Sequence, residues 1–344
     1  MMNSFLFSTP NETLDYLNNH PDLSFVIFAG IPLIQNLSLS VGNNVILCST
    51  SGEFSSKGYK NDVITGFSYD NTLAEIVEIL YPPAKSLQLL KKSYNKVRNN
   101  PNAFALLLCD GLSAMEESIV TTFYFADANF KIIGGSAGDN LKFEKTLIYI
   151  GQKKVHSVAI FFDMKRRTQL IKENIYIPSG KNLLVTDADP INRTVKTFNN
   201  NLASVEYAKL LGIKEVDLPN HFMNNPLGKI TKDKINIASP MKINPDKSIT
   251  FYSQILPNNF VEVLQLANYN LVMKETLSSA TFKPGFVLSI NCILRSLMFL
   301  DKNLWGTVDS NLLSLCTNQT GFISYGEQFY QNHFNQTMVL LLVE

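Results

Sequence analysis

The glycine-rich segment Gly134-Gly135-Ser136-Ala137-Gly138 is the first place where residue types and spacing suggest chemistry. It matches G-x-S-x-G, the motif in which α/β-hydrolases expose a nucleophilic serine on a sharp turn between a strand and a helix. Asp187 or Asp189, and then His221 or His333, would complete a catalytic triad in the matching chain order. About seven residues separate Gly138 from the next predicted strand, too few for the helix that the motif requires. We therefore expect no enzyme activity, and a hydrolase that uses Ser136 or Cys292 is the alternative.

The same segment has a second chemical interpretation, because the N–H groups of a glycine turn can hold an anion or a ligand. Gly135, Ser136 and the following Asp139 are the candidate contacts. A Walker phosphate loop is excluded, because no Gly-Lys-Ser or Gly-Lys-Thr sequence follows the glycines. A tight turn that lets two strands approach, capped by Asp139, would account for the same residues without a ligand.

The histidines form no metal-binding pattern. His20, His156, His221 and His333 are far apart in sequence, and neither H-x-x-x-H nor H-E-x-x-H occurs. The motif C-x-x-C-H, which attaches haem covalently, is also absent. Non-covalent haem needs only one axial histidine and an apolar cleft, so the residues alone neither support nor exclude haem binding. We expect no metal and no resident cofactor.

The C-terminal third places charged side chains inside apolar segments. Arg295 follows the apolar run 286–293, and Glu327 interrupts the run 322–330. Buried charges are costly unless they are paired or face a cavity. One interpretation is a bridge between Arg295 and Glu327 with no ligand. The other is a pocket for a zwitterion, because Arg binds a carboxylate through two N–H groups and Glu binds an ammonium group. The other candidate lining residues are Cys292, Tyr325, Asn335 and Thr337.

The charge balance argues against nucleic acid as a partner. The chain has 344 residues, with 30 Lys and Arg against 29 Asp and Glu, which gives a net charge of +1. Nucleic-acid-binding domains usually carry clustered basic residues and a clear positive excess. With 45 % hydrophobic and 17 % charged residues, the chain is expected to be globular with a large core.

Three absences lead us to expect a cytoplasmic protein. The four cysteines form no C-x-x-C pair and mostly lie in apolar runs, which is typical of buried thiols in a reducing compartment. The N-terminus MMNSFLFSTPNE has no basic region and only a short apolar patch, unlike a signal peptide. No apolar run approaches the roughly 20 residues needed to cross a bilayer, so we expect no membrane insertion.

The pattern of apolar residues predicts more strand than helix. Short apolar runs such as 24–30 and 104–111 predict buried strands. Residues 71–98 repeat apolar side chains every three to four positions, which predicts two helices separated at Pro82-Pro83. The segments 151–154 and 244–247 predict the loops of two β-hairpins.

These elements predict an α/β (mixed α+β) fold class. Many neighbouring strands have short links, which force antiparallel pairing because parallel strands need longer crossovers. We therefore expect large, mostly antiparallel or mixed sheets flanked by a few helices. No internal repeat can be aligned by eye. The length fits two domains, and the polar run TDADPINRT predicts a boundary between about 20–190 and 191–344.

Six segments, taken together, resemble the FIST domain family. The N-terminal ones are CSTSGEFSSKGY and GGSAGDNLKF, the latter followed by T-x-x-Y-x-G from Thr146 to Gly151. The C-terminal ones are Asn225-Pro226-Leu227-Gly228, Cys292-x-x-Arg295, Gly321 to Glu327, and Asn335-Gln336-Thr337. Each segment alone is weak evidence for the family, but six segments in the order found in the family are a specific resemblance. The sequence is therefore similar to a FIST N-terminal domain (20–190) followed by a FIST C-terminal domain (191–344), in a stand-alone bacterial-type protein.

The resemblance implies an intracellular sensory protein whose small-molecule ligand is an amino acid or a related metabolite. Because the sequence shows no output domain, it would act on a separate histidine kinase, chemoreceptor or cyclic-dinucleotide enzyme. One subset of the family binds haem, which makes a haem-binding nitric oxide sensor another alternative. Many relatives have histidine directly before Asn335, where this chain has Phe334, and the candidate haem ligand His333 is one position earlier. In a strand this offset reverses the side-chain face, so we expect no tight haem binding.

Overall fold

Two compact units make up the computed structural model, which describes residues 2–231 and 234–344. Among these residues, the first unit contains 2–172, 275–333 and 338–344, and the second contains 173–231, 234–274 and 334–337. The units interleave along the chain, whereas the predicted domains are contiguous stretches. Strands make up 40 % and helices 27 % of the structure, in mixed sheets flanked by helices, which confirms the predicted fold class.

The first sheet of the first unit is built mainly from N-terminal residues. Its strands in spatial order are β1 (Asn3–Phe7), β6 (Ile64–Asp70), β2 (Leu23–Ala29), β3 (Val45–Ser49), β10 (Ile148–Ile150) and β11 (Lys153–Val155). Strands β2 and β3 are parallel. The outer face packs against α1 (Pro10–Asn18) and α2 (Ile31–Leu37). Helix α1 begins at a capping box formed by Thr9 and Glu12, which satisfies the first free N–H groups of the helix.

The second sheet has the same organisation. Its strands in spatial order are β25 (Asn332–Phe334), β24 (Glu327–Phe329), β9 (Ile132–Ser136), β8 (Phe104–Cys109), β12 (Ser157–Phe162) and β7 (Ala74–Ile79). Strands β8 and β9 are parallel. Helices α3 (Leu87–Val97) and α4 (Glu116–Ala126) pack against the outer face.

The third sheet contains C-terminal strands and one N-terminal hairpin. Its strands in spatial order are β13 (Thr168–Asn174), β26 (Thr337–Val343), β22 (Phe286–Cys292), β23 (Gln319–Ser324), β4 (Glu53–Ser55) and β5 (Gly58–Lys60). Strands β22 and β23 are parallel. They are joined through α7 (Ile293–Asp301) and α8 (Trp305–Leu315), and α6 (Tyr269–Ser278) precedes β22.

The inner faces of the three sheets share one apolar core. Phe28 and Phe67 of the first sheet, Leu106 of the second, and Ile290 and Phe322 of the third are all fully buried in it. The central parallel strands β2, β3, β8 and β9 of the first and second sheets also contribute apolar residues to the cores under their helices, so these strands are buried on both faces.

The three sheets also repeat one chain path. The repeats are β1–β6, β7–β12, and β13 together with β22–β26. In each repeat a parallel strand pair is followed by a short hairpin that pairs with the sheet of another repeat. Hairpin β4–β5 joins β23, β10–β11 joins β3, and β24–β25 joins β9. The three repeats therefore close a ring, and residues 175–268 are inserted in the third repeat after β13.

The second unit is built on an eight-stranded sheet. Its strands in spatial order are β18 (Lys234–Ala238), β17 (Leu227–Thr231), β21 (Phe260–Leu266), β14 (Tyr176–Asp189), β15 (Thr194–Phe198), β20 (Ile249–Phe251) and β19 (Pro240–Ile243), and β16 (Asn201–Leu202) pairs with β15. Helix α5 (Ala203–Leu211) packs on this sheet through Tyr207 and Ala208. It ends at Gly212, whose φ of 75° is the left-handed conformation that glycine adopts without strain.

One predicted element turns out differently. The first predicted helix of residues 71–98 is wrong, since Ala74–Ile79 is strand β7. Ile76 packs against one core, and Val77 and Ile79 against another. Burial on both faces removes the alternation that identifies a strand, which explains the error.

The two predicted hairpins are confirmed, with one change in length. Residues 244–248 link β19 to β20. The loop between β10 and β11 has only two residues, Gly151 and Gln152, and Gly151 has a φ of 57° as tight hairpins require. None of the helices within the described ranges, 2–231 and 234–344, is long and apolar enough to cross a membrane.

Candidate functional site

Three turns meet in the first unit where the parallel strands β3, β9 and β23 end. Each turn donates one equivalent backbone hydrogen bond to another: Ser51 to Ile323 at 3.1 Å, Tyr325 to Ser136 at 3.0 Å, and Gly138 to Ser49 at 3.0 Å. These bonds close a ring that we call the turn ring, residues 49–53, 136–140 and 323–327. In open α/β sheets, ligands bind at the carboxyl ends of parallel strands, and the turn ring lies at such ends.

The first and third turns share the motif Ser/Thr-x-Gly-Glu. Thr50 donates to Glu53 Oε1, and Ser324 donates to Glu327 Oε1, each at 2.5 Å. Both glutamates are fully buried. Glu53 was not among the site residues selected from the sequence, and the recurrence of this motif is the signal that would have revealed both Glu53 and the repeat.

Glu53 lies in an environment that favours its neutral form. Burial raises the pKa of Glu53 to about 8, although hydrogen bonds from Thr50 and from the backbone of Val63 lower it. The nearby charge of Asp62 raises it further. The first turn therefore holds a carboxyl group that titrates near neutral pH.

The second turn is organised by Asp139. Its carboxylate accepts hydrogen bonds from the amides of Phe143, Glu144 and Lys145, at 3.0, 2.8 and 3.0 Å, and from the hydroxyl of Tyr325. Burial alone would raise the pKa of Asp139, but these hydrogen bonds outweigh it and lower the pKa. Asp139 is therefore a stable anion that fixes the loop after β9.

The structure does not form a nucleophile elbow at Ser136. Its hydroxyl is fully buried, donates to Glu116 at 3.2 Å and accepts from Gln328 at 3.1 Å. The residues after Gly138 form a loop rather than a helix. The spacing predicted that no helix follows Gly138, and the structure confirms this. The strained turn that exposes a catalytic serine is absent from this segment.

Gly135, directly before the second turn, allows close packing. A side chain at Gly135 would lie 2.6 Å from Ile290 and 2.7 Å from Phe322. The amides of Ser136 and Gly138 donate to the carbonyls of Gly326 and Ser49. In this conformation those amides bind the protein's own backbone, and the assignment of Gly135 and Ser136 to a ligand stays a prediction.

Arg295 and Glu327 are two oppositely charged residues that are fully buried in the first unit. Arg295 lies in the first turn of α7, is fully buried, and places its guanidinium carbon 4.8 Å from the centre of the Phe299 ring. Burial lowers the pKa of Arg295 to about 9, whereas the charge of Glu327 raises it. Cys292, directly before α7, is also fully buried. The charge of Glu327 therefore favours the protonated, cationic form of Arg295.

The remaining predicted residues fall in both units. Tyr325 joins the turn ring, where its hydroxyl accepts from the amide of Leu141 at 2.7 Å and burial raises the pKa of that hydroxyl. Asn335 and Thr337 belong to the second unit and are fully buried there. His333 is buried on β25, with Nδ1 3.2 Å from the amide nitrogen of Gln328. Among the described residues, no group of three or more His, Cys, Asp and Glu side chains is arranged to hold a metal ion.

Two family models match the sequence. The FIST N domain matches residues 32–201, and the FIST C domain matches residues 203–330. The chain belongs to the FIST family. FIST domains are sensory domains of signal transduction, so this FIST protein is a sensory protein with both domains of the family. A search of curated proteins found no significant match.

Proposed function

We propose that this FIST protein binds a small zwitterion, an amino acid or a related metabolite, between Arg295 and Glu327. The observation that carries the proposal is the complete burial of these two opposite charges, with the charge of Glu327 acting on Arg295. A zwitterion can insert between them with its carboxylate on Arg295 and its ammonium group on Glu327. Both buried charges then stay compensated, which is the condition for keeping them in an apolar interior.

The internal repeat supports the third turn as the binding position. The helix that follows the first parallel strand starts with apolar residues in the first repeat, Ile31 to Leu33, and with Glu116 in the second. In the third repeat the corresponding helix, α7, carries Arg295 in its first turn. Of these three helices, α7 alone carries a cationic residue, and the charge of Glu327 in the third turn of the turn ring acts on this residue. The chemistry that recognises a carboxylate is therefore specific to the third repeat.

The proposed output is a signal to a separate protein rather than a reaction. FIST domains act in signal transduction, and we propose a histidine kinase, a chemoreceptor or a cyclic-dinucleotide enzyme as the partner class. Ligand insertion would change the interactions of Glu327, which lies in the turn ring together with the first and second turns. The turn ring would then carry the change from the ligand to the rest of the first unit.

Calorimetric titration with free amino acids tests the proposal. Arg295→Lys keeps the charge but loses the planar pair of N–H donors, so it should weaken binding of the responding amino acid at least about tenfold. Glu327→Gln should weaken it similarly by removing the ammonium contact. Arg167→Lys is the matched control, because Arg167 pairs with Glu344 at an exposed position, and it should leave the affinity unchanged.

Melting curves on the same variants distinguish a ligand site from a purely structural bridge. A bridge without a ligand predicts that Glu327→Gln strands a buried charge and lowers stability by about 3–5 kcal/mol. If no amino acid binds, or if both variants bind with wild-type affinity while their melting temperatures fall sharply, the zwitterion proposal is wrong.

A further inference from the structure

The helix-covered face of the third sheet is more polar than the corresponding faces of the other two. The parallel strand pairs allow the three repeats to be aligned. The pairs that contain the first residue of each turn of the turn ring are Ala29 and Ser49 in the first repeat, Cys109 and Ser136 in the second, and Asn291 and Ile323 in the third. In this alignment Asn291 occupies the position of Ala29 and Cys109. Ser289 occupies the position of Ile27 and Leu107. Gln319 occupies the position of Val45 and Ile132. Two repeats therefore fold with apolar or small residues where the third has polar ones.

Two of these polar side chains have no hydrogen-bond partner within the described part of the chain. Both amide atoms of Asn291 and both of Gln319 are unpaired, and the two residues are 4 % and 1 % exposed. Buried polar groups in native proteins are almost always paired with protein, water or ligand. Because the fold does not require amides at these positions, their presence indicates a role other than packing.

A narrow crevice lies between this face and α8. The side chain of Asn291 lines it together with Trp305, whose indole N–H is also buried and unpaired among the described residues. The rest of the wall is largely apolar, and none of its lining residues is charged: Phe54, Val308, Leu312 and Ile323 are the principal apolar ones. The crevice as it stands is too narrow to hold a water molecule.

Only two of the eleven residues of helix α8 are buried. Val308 and Leu312 are its buried residues. At its N-terminal half, Asp309 accepts a hydrogen bond from the amide of Tyr59 at 3.1 Å, and the Tyr59 ring stacks on Trp305 with 4.3 Å between centres. The first and second repeats have one helix between their parallel strands, so α8 is an addition specific to the third repeat.

We propose that this crevice is a second binding site, opened by movement of α8, for a small uncharged molecule that carries an amide on an apolar body. The Asn291 amide presents a donor and an acceptor side by side, which matches another amide, and the Trp305 N–H adds a donor for its carbonyl oxygen. The apolar wall suits a ring or short alkyl group, and an ion would find no opposite charge there. This inference does not use Arg295 or Glu327, so it stands independently of the zwitterion site.

Benzamide, with toluene as the probe that lacks the amide, tests this assignment. Trp305 is the only tryptophan in the chain, so its fluorescence and its single indole N–H resonance report on the crevice without ambiguity. We expect a saturable benzamide-dependent shift of both signals, with a dissociation constant at least about tenfold lower than that for toluene. Wild-type titration with amino acids should be unaffected by benzamide.

Asn291→Leu gives the decisive comparison, because it restores the apolar character found in the other repeats. It should fold, melt at or above the wild-type temperature, and raise the benzamide dissociation constant at least about tenfold while leaving that for toluene within about twofold. Asn291→Ala, the residue at the equivalent position 29, is the second variant if Leu does not fit. Asn311→Leu, on α8 but outside the crevice, is the control and should bind as wild type. If the Trp305 signals do not respond to benzamide, or if Asn291→Leu binds benzamide as wild type does, the site does not exist.

Discussion

Replacing Glu53 with glutamine should remove much of the loss of stability that the protein suffers as pH rises from about 5 to about 9. The pKa of Glu53 is raised from its ordinary 4.5 to about 8 in the folded state. Below pH 4.5 the carboxyl group of Glu53 is protonated in both the folded and the unfolded state. Between the two values the folded state retains a proton that the unfolded state releases, so stability falls as pH rises through this range. The pKa difference corresponds to on the order of 5 kcal/mol by the top of the range.

Melting curves across this pH range provide the assay. A decrease in the free energy of unfolding on the order of 5 kcal/mol corresponds to a fall in melting temperature of about 10–20 °C for a unit of this size. Glu53→Gln is neutral at every pH and keeps the shape of the side chain, so its curve should be nearly flat over the same range. Glu144→Gln, at an exposed position, controls for removing one carboxylate and should follow the wild type. If wild type and Glu53→Gln lose the same stability between about pH 5 and pH 9, the buried carboxyl is not the cause and the reasoning fails.

Two further predictions concern Asp139 and His333. Asp139→Asn should lower stability by about 1–3 kcal/mol at neutral pH, since three backbone amides and the Tyr325 hydroxyl lose a charged acceptor. Because the pKa of Asp139 is lowered, its contribution is present above the ordinary aspartate pKa and is lost as pH falls through the folded-state value, so melting curves of wild type and variant should converge in acid. We also expect the purified protein to show no stoichiometric Soret band, and a band that disappears in His333→Ala would contradict this expectation.

Local sequence patterns identified much of the fold but not its ring of repeats. Short apolar runs predicted buried strands, and turn residues predicted both hairpins, because these signals are local. The ring depends on pairings between distant segments, such as β4 with β23, which no local pattern records. The same limit applies to the site. Arg295 and Glu327 stood out as charges in apolar runs, whereas Asn291 did not, since an Asn in an apolar strand is unusual only when compared with Ala29 and Cys109.

The repeat separates what the fold requires from what the third repeat adds. The first and second repeats show that apolar or small residues suffice under the helices of this scaffold, as at Ala29 and Cys109. Arg295, Asn291 and the extra helix α8 all depart from that pattern, and all lie in the third repeat. Buried polar groups destabilise a core unless something compensates them, so stability alone does not explain why the third repeat has Asn291 where the other two have Ala29 and Cys109. We therefore infer that ligand recognition is concentrated in the third repeat, while the other two hold the turn ring in place.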